Sequence, residues 1–209
     1  MTLLLLLLAA LGCATRGEVV EHHTIALRTG TLARVAVVPF YTAKGFEGER
    51  EGTKILSAKA SADLVARFVA EAFTQREIST IAPSDVVLAF EGTGKVLPRQ
   101  DPVATAALMA KQFGATAVVL GSVRRYRERA GQALGSNDPA SVWFEFAIHT
   151  APEGEKVWTA RFDHTQLPLS EDLFITRRYP GRGSRWLTAG ELARWGAGEA
   201  VSELPEGLR

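Results

Sequence analysis

The hydrophobic pattern changes period several times along the chain, and each change marks an element. Val35-Ala36-Val37-Val38 is a short apolar run rich in β-branched residues, closed by Pro39-Phe40. Such a run predicts a strand covered on both faces and placed centrally in a sheet. Pro39 has no N–H to give a ladder, so the strand should stop there. From Ile55 to about Gln75 the period becomes helical. Leu64, Val65, Phe68, Val69, Ala72 and Phe73 share one side. Lys59, Asp63, Arg67, Glu71 and Gln75 recur every fourth residue as a stripe of alternating sign. This reads as a helix packed on a sheet with its charged stripe in solvent. Glu77–Ile81 predicts a short strand, and Pro83-Ser84 a new helix capped by Ser84 or Asp85. Asp101-Pro102 opens a further helix, with Asp as N-cap and Pro in the first turn. It runs to Phe113 and stops at Gly114.

Ala117–Val123 reads as the next buried strand. It continues into Arg124–Arg129, a stretch too charged to be covered on both faces. The strongest strand pattern follows. Val142, Phe144, Phe146 and Ile148 alternate with Trp143, Glu145, Ala147 and His149. After Pro152-Glu153-Gly154, Trp158, Ala160 and Phe162 alternate with Val157, Thr159 and Arg161. A hairpin centred on Glu153 sets Phe144 opposite Phe162 and Ile148 opposite Trp158 on one face. The same register sets Glu145 opposite Arg161 on the other face, a favourable cross-strand pair. The remaining stretches read as loops: 41–53 with Gly45, Gly48 and Gly52, 91–100 with a turn at Gly92-Thr93-Gly94-Lys95, and 130–140. The glycines of the first loop do not make a phosphate loop, because no Gly-Lys-Ser/Thr follows them. Two helix starts of one form lie in the tail, Leu169-Ser170 leading to Phe174 and Leu187-Thr188 leading to Leu192. In each, a hydroxyl cap stands between apolar residues placed to staple across it. Thr188 also has Glu191 three residues on, which completes a capping box.

The fold class that follows is α/β, mixed α+β. A central mixed sheet carries packed helices, a C-terminal β-hairpin and a short helical tail. The expected divisions are a signal at 1–12, a tether at 13–33 and one domain at 34–209.

The first thirteen residues change the picture of where the chain acts. Leu3–Leu8 is unbroken leucine, and the apolar stretch runs to Leu11-Gly12-Cys13. It is too short to span a bilayer, which takes ~20 apolar residues, and it has the length of a signal peptide. Cys13 is the sole cysteine. A lone Cys after small residues at the end of such a run resembles the bacterial lipoprotein signal, in which the cysteine is acylated and becomes the first mature residue. Ala10 stands where that signal prefers Leu, and Met1-Thr2 has no Lys or Arg, which leaves an upstream start open. An acylated Cys13 leaves no thiol for a disulfide, so the fold must hold by packing. Ala14 after the cysteine, where Asp would mark inner-membrane retention, implies the outer membrane. Residues 14–33 read as a tether, with an edge strand over Val19–Leu27 as the alternative.

Charge and motifs narrow the function classes. Lys plus Arg number 24 against 23 Asp plus Glu, so nothing calls for nucleic acid as a partner. His22-His23 are adjacent, their side chains diverge, and no third ligand is near, so no metal is expected. No cofactor motif is present. Asp163-His164-Thr165 lies in a strand, so its acid and base point to opposite faces. No Gly-x-Ser-x-Gly, His-Glu-x-x-His or Cys-x-x-Cys occurs, and no catalytic residue is assigned. One local charge excess remains: Arg177, Arg178, Arg182 and Arg185, four arginines in nine residues. These are candidates for contact with an anionic surface or a partner, against the plain reading of a solvated loop.

The order of elements, Val35–Phe40, the helix carrying Ala62-Asp63-Leu64, and Gly114–Val123 together resemble a known group. It comprises bacterial envelope lipoproteins related to the curli-secretion protein CsgG, the peptidoglycan-synthase activator LpoB and the N-terminal domain of TolB. The resemblance covers about Arg34 to Phe162. It implies a mixed α/β domain that binds other proteins, in some cases as rings, and brings no catalytic residues. The loops at 41–53 and 130–140 are too short and polar for the membrane hairpins of the curli channel, and the tether is shorter than the activator's linker. The expectation is a periplasm-facing lipoprotein without catalytic activity. It would act as scaffold, assembly or secretion accessory of an envelope complex, with envelope proteins or a further copy of itself as partners. The alternative is a regulator of peptidoglycan synthesis or an enzyme acting on it.

Overall fold

The computed structural model describes residues 20–48, 57–91, 96–132, 135–167, 179–180 and 185–208. Its strands are β1 Val20–Thr24, β2 Val35–Val37, β3 Tyr41–Glu47, β4 Thr80–Ile81, β5 Ala117–Arg127, β6 Ala130–Gln132, β7 Gly135–Asp138, β8 Ser141–Thr150 and β9 Lys156–Thr165. The helices are α1 Ala58–Gln75, α2 Pro83–Phe90, α3 Pro102–Phe113 and α4 Ala189–Ser202. One seven-stranded sheet runs β1-β9-β8-β5-β2-β4, with β3 also on β5, and β6 and β7 form a separate ribbon. The expected mixed sheet with packed helices is what the structure shows.

The sheet has two halves of different character. β2 runs parallel to both β4 and β5, and Val35, Ala36 and Val37 are completely buried. Parallel strands need cover on both faces, which the unbroken apolar run supplies. Val35 and Val37 face the main core with α1, while Ala36 and Val38 join Ile81, Val86, Met109 and Val118 beneath α2 and α3. β5, β8, β9 and β1 follow in that order, each antiparallel to the next. Their inward residues meet α1 and α4, and their outward residues are mostly polar beyond Val118 and Leu120 of β5, which join the second core. The hairpin register is the expected one, with Phe144 opposite Phe162, Ile148 opposite Trp158 and Glu145 opposite Arg161. Phe144, Phe146, Trp158 and Phe162 are all in the core.

Helix ends follow their local chemistry. Ser57 caps α1, accepting from the Ala60 N–H at 3.2 Å. Asp101 caps α3 from Ala104 at 3.0 Å, and Gly114 ends it at φ 65°. α4 has its full capping box between Thr188 and Glu191, and Leu187 and Leu192 are buried on either side of it.

The structure departs from the sequence reading in several places. Tyr41–Glu47 is a strand rather than a loop. It resumes after Pro39 on the same neighbour, pairing Tyr41 with Ser122 and Thr42 with Val123. The pairing then breaks until Glu47, with Gly45 at φ 80° inside the irregularity. Val20–Thr24 is the edge strand offered as the alternative to tether. Part of 130–140 forms the β6–β7 ribbon. The strand placed at Glu77–Ile81 is only Thr80–Ile81, because Glu77 takes φ 60° in the turn out of α1. Neither Ser84 nor Asp85 caps α2. Pro83 takes the first turn and Ala82 the cap position, with no side-chain bond.

The tail is structural. α4 lies against α1 and the sheet, with Leu192, Ala193, Ala197, Ala200 and Val201 in the core. Gly196 lets it close in, since a Cβ there would stand 2.7 Å from the Phe162 ring. The Arg76 guanidinium, at the end of α1, donates to the carbonyls of Val201, Ser202 and Leu204 at the end of α4. This satisfies carbonyls a helix end leaves open. The stripe on α1 is therefore not wholly solvated. Lys59 pairs with Asp63 at 2.6 Å, but Glu71 also takes Arg194 from α4. The cap at Leu169-Ser170 and the turn at Gly92–Lys95 lie outside the described residues.

Candidate binding face

The antiparallel half of the sheet has one side turned away from α1 and α4. Alternation places Ser122 and Arg124 of β5, Trp143, Glu145, Ala147 and His149 of β8, Thr159, Arg161 and Asp163 of β9, and Glu21 and His23 of β1 on that side. α2 covers the β2 and β4 end, and α3 lies over the neighbouring part of β5, where Ala106 and Met109 join Val118 and Leu120, and reaches β8. No described element covers the rest.

Trp143 is the centre of this face. Three guanidinium carbons lie over its ring, Arg161 at 4.9 Å, Arg124 at 5.2 Å and Arg125 at 5.7 Å from the centroid. Each such contact is worth about 0.5–1 kcal/mol at an exposed site. Carboxylates balance the arginines. Arg124 meets Glu145 at 3.1 Å, Arg161 meets Asp163 at 3.3 Å and Glu21 at 3.7 Å, and Arg125 pairs with Asp163. Three donors in this cluster, Trp143 Nε1, Arg124 Nε and Arg161 Nε, are buried and have no acceptor among the described residues. An unmatched buried donor costs about 1–3 kcal/mol.

Beside the cluster lies a cleft of about 520 Å³ between the sheet and the segment leading into α3. Its floor is Leu120, Gly121, Ser122, Phe146 and Ala147, and its walls include Tyr41, Arg99, Gln100, His149 and Lys156. Gly121 turns its other side to the main core, where a Cβ would stand 2.5 Å from the Phe40 ring. His149 Nδ1 faces the Gly154 carbonyl at 3.0 Å and donates to it. Burial holds the His149 pKa below the ordinary histidine value, and Lys156 adds to this.

These groups do not form a nucleophile and base. His149 is opposite Val118 and Ser122 is opposite Glu145, which puts the histidine and the hydroxyl about 13 Å apart along the sheet. The Ser122 hydroxyl donates to Glu145 at 3.2 Å. Asp163 and His164 face opposite ways, the first to Arg125 and the second to Tyr179. His22 and His23 diverge likewise. His22 stacks on Trp158, with Nε2 3.6 Å from Glu203, and His23 lines the cleft. Among the described residues no three metal-ligating side chains come together, and no helix is long and apolar enough to cross a membrane.

Of the sequence candidates, Cys13, Arg177, Arg178 and Arg182 lie outside the described residues. Arg185 is described, and its guanidinium makes two bonds to Glu191, one at 2.8 Å. Glu191 is thereby held at a pKa of about 2, first by the Arg185 hydrogen bond and then by those of Thr188. This lies below the unfolded value of ~4.3. Its contribution to stability is therefore complete above pH ~4.3 and lost as the pH falls toward 2. Glu191→Gln should flatten the loss of stability in that window, as read by urea midpoints at stepped pH. An unchanged profile would show that Glu191 carries none of it.

The Trp143 cluster was not read from the sequence. Its signal was present in the outward set of the hairpin, but the arginines of β5 could not be placed without the β5–β8 register.

No family model matches the chain, and no curated protein matches it. Solved structures do. A PelC dodecamer from Paraburkholderia phytofirmans is 15% identical over 88% of this chain and 94% of its own, with a TM-score of 0.47. Lipoprotein GNA1162 from Neisseria meningitidis is 17% identical over 64% of this chain and 84% of its own, at 0.41. LpoB from E. coli is 12% identical over 64% of this chain and 57% of its own, at 0.36. These are likenesses of chain path and assign no role to any residue here.

Proposed function

We propose that this chain is a lipid-anchored, periplasm-facing protein of the bacterial envelope that binds an envelope partner and catalyses no reaction. The observation that carries the binding reading is the open half of the sheet. It presents a tryptophan ringed by three arginines, with part-exposed guanidinium groups that can meet a partner's carbonyls and carboxylates. Aromatic and Arg side chains are also the types that dominate interfaces. The anchor reading rests on Cys13. Val20 is seven residues after it in the sequence, a reach of at most ~25 Å. Val20 is opposite Phe162, at the end of the sheet where β9 leads to Gln166. Gln166 in turn bonds Arg185 and Leu187 at 3.1 and 2.6 Å. Both flanks of the basic stretch thus meet where the tether enters. Arg177, Arg178 and Arg182 would act on anionic head groups or a partner, and their effect would fade as salt rises. The outer membrane is the proposed location.

The test is crosslinked capture from membranes with the tagged chain. Trp143→Ala combined with Arg161→Glu should reduce the captured partner roughly tenfold or more, as truncated Trp and Arg anchors do. The mass of the adduct separates another protein from a second copy. Undiminished capture by the double variant would sink the assignment of the face. A changed muropeptide turnover in the same cells would point to the peptidoglycan reading instead.

A further inference from the structure

We infer that the cleft beside the Trp143 cluster is a binding site for a small oxyanion group, a carboxylate or a phosphate, held between Arg99 and Lys156. The inference starts from the balance of charge in the cleft. Its two acids already have partners, Glu145 with Arg124 and Ser122, and Glu21 with Arg161. Arg99 and Lys156 line the same space, and among the described residues neither meets a carboxylate. Arg99 is half-buried on the wall leading into α3. A guanidinium there gives planar, paired donors suited to an oxyanion. Lys156 is directly opposite His149 across the hairpin, so both lie on the cleft side of the sheet. The turn that positions them is fixed against α3: a Cβ at Gly154 would stand 2.7 Å from the Val103 backbone. The volume is that of a small-molecule site, which runs about 300–1,000 Å³.

Such a site deepens the reading of this face as a binding face. The four histidines of the chain make its test specific. His23 and His149 line the cleft, whereas His22 and His164 lie on the opposite side of the sheet against Trp158 and Tyr179. The full chain, purified in detergent with histidine rings labelled, is titrated at fixed pH and ionic strength. One arm uses inorganic phosphate, for phosphoryl groups. The other uses N-acetylalanine, for a peptide carboxylate. The expected result is a saturable shift of His149 and His23 in at least one arm, with His22 and His164 unmoved. The arm that saturates at lower concentration identifies the chemistry. Arg99→Gln and Lys156→Gln should each weaken binding by about tenfold or more, the value of one charge-assisted hydrogen bond. Their melting curves should match the parent. Overturning results are no saturable shift in either arm, equal movement of all four rings, or undiminished binding in both variants. Oxyanion binding without partner capture would overturn the partner reading alone. Capture without oxyanion binding would overturn this one alone.

Discussion

Phe144→Ala should cost roughly 3–5 kcal/mol, the usual cost of truncating a fully buried aromatic. The ring is completely buried. It stacks on Phe162 at 5.3 Å and Phe146 at 6.5 Å. Phe162 in turn meets Trp195 of α4 edge-on at 5.8 Å. One truncation therefore opens a void between the hairpin and the helix that holds it. Total stabilities run about 5–15 kcal/mol, so the loss is a large share of the whole. At about 2–4 °C per kcal/mol for a domain of this size, the melting point should fall by roughly 10 °C. Urea midpoints of the parent and variant give the same comparison without the heat-capacity correction. An unchanged midpoint would show that the strand register or the burial is mistaken.

Cys13→Ser should move the protein from the membrane fraction to the soluble one and leave the signal unprocessed. The motive is a lone cysteine ending a leucine run. A single acyl chain gives marginal, reversible attachment, so firm anchoring implies more than one chain on the processed cysteine. Serine keeps the size and removes the thiol that acylation needs. Fractionation with metabolic fatty-acid labelling reads both effects. Retention in the membrane with normal processing would end the anchor reading.

The sequence showed most where one element's pattern sufficed. β2 is a buried parallel strand because Val35–Val38 is apolar at every position. The hairpin register was legible because Phe144, Ile148, Trp158 and Phe162 make sense on one face only in that pairing. α4 announced its start through Leu187, Thr188 and Glu191. It did not announce its place, because an alanine-rich helix shows which face is apolar but not what will cover it. β3 was hidden because Thr42-Ala43-Lys44-Gly45 has neither alternation nor an apolar run, and its pairing comes from β5. The functional face was hidden for a related reason. Glu145 was placed opposite Arg161 and is so placed, yet its ion pair goes to Arg124 across the β5–β8 register, which no local pattern fixes. Arg185 shows the same limit. Its charge suggested a surface contact, and three-dimensional neighbours add a bond to Glu191 at the start of α4 that the sequence did not show.

The central claim is that the open sheet face, and not the helical side, meets the partner in the envelope. A photocrosslinking residue placed at Thr159, in the middle of that face, tests it in living cells, with Lys59 on the solvent side of α1 as control. Irradiation should give a discrete adduct from position 159 in the membrane fraction and none from position 59. A discrete adduct from position 59 with none from position 159 would contradict the account.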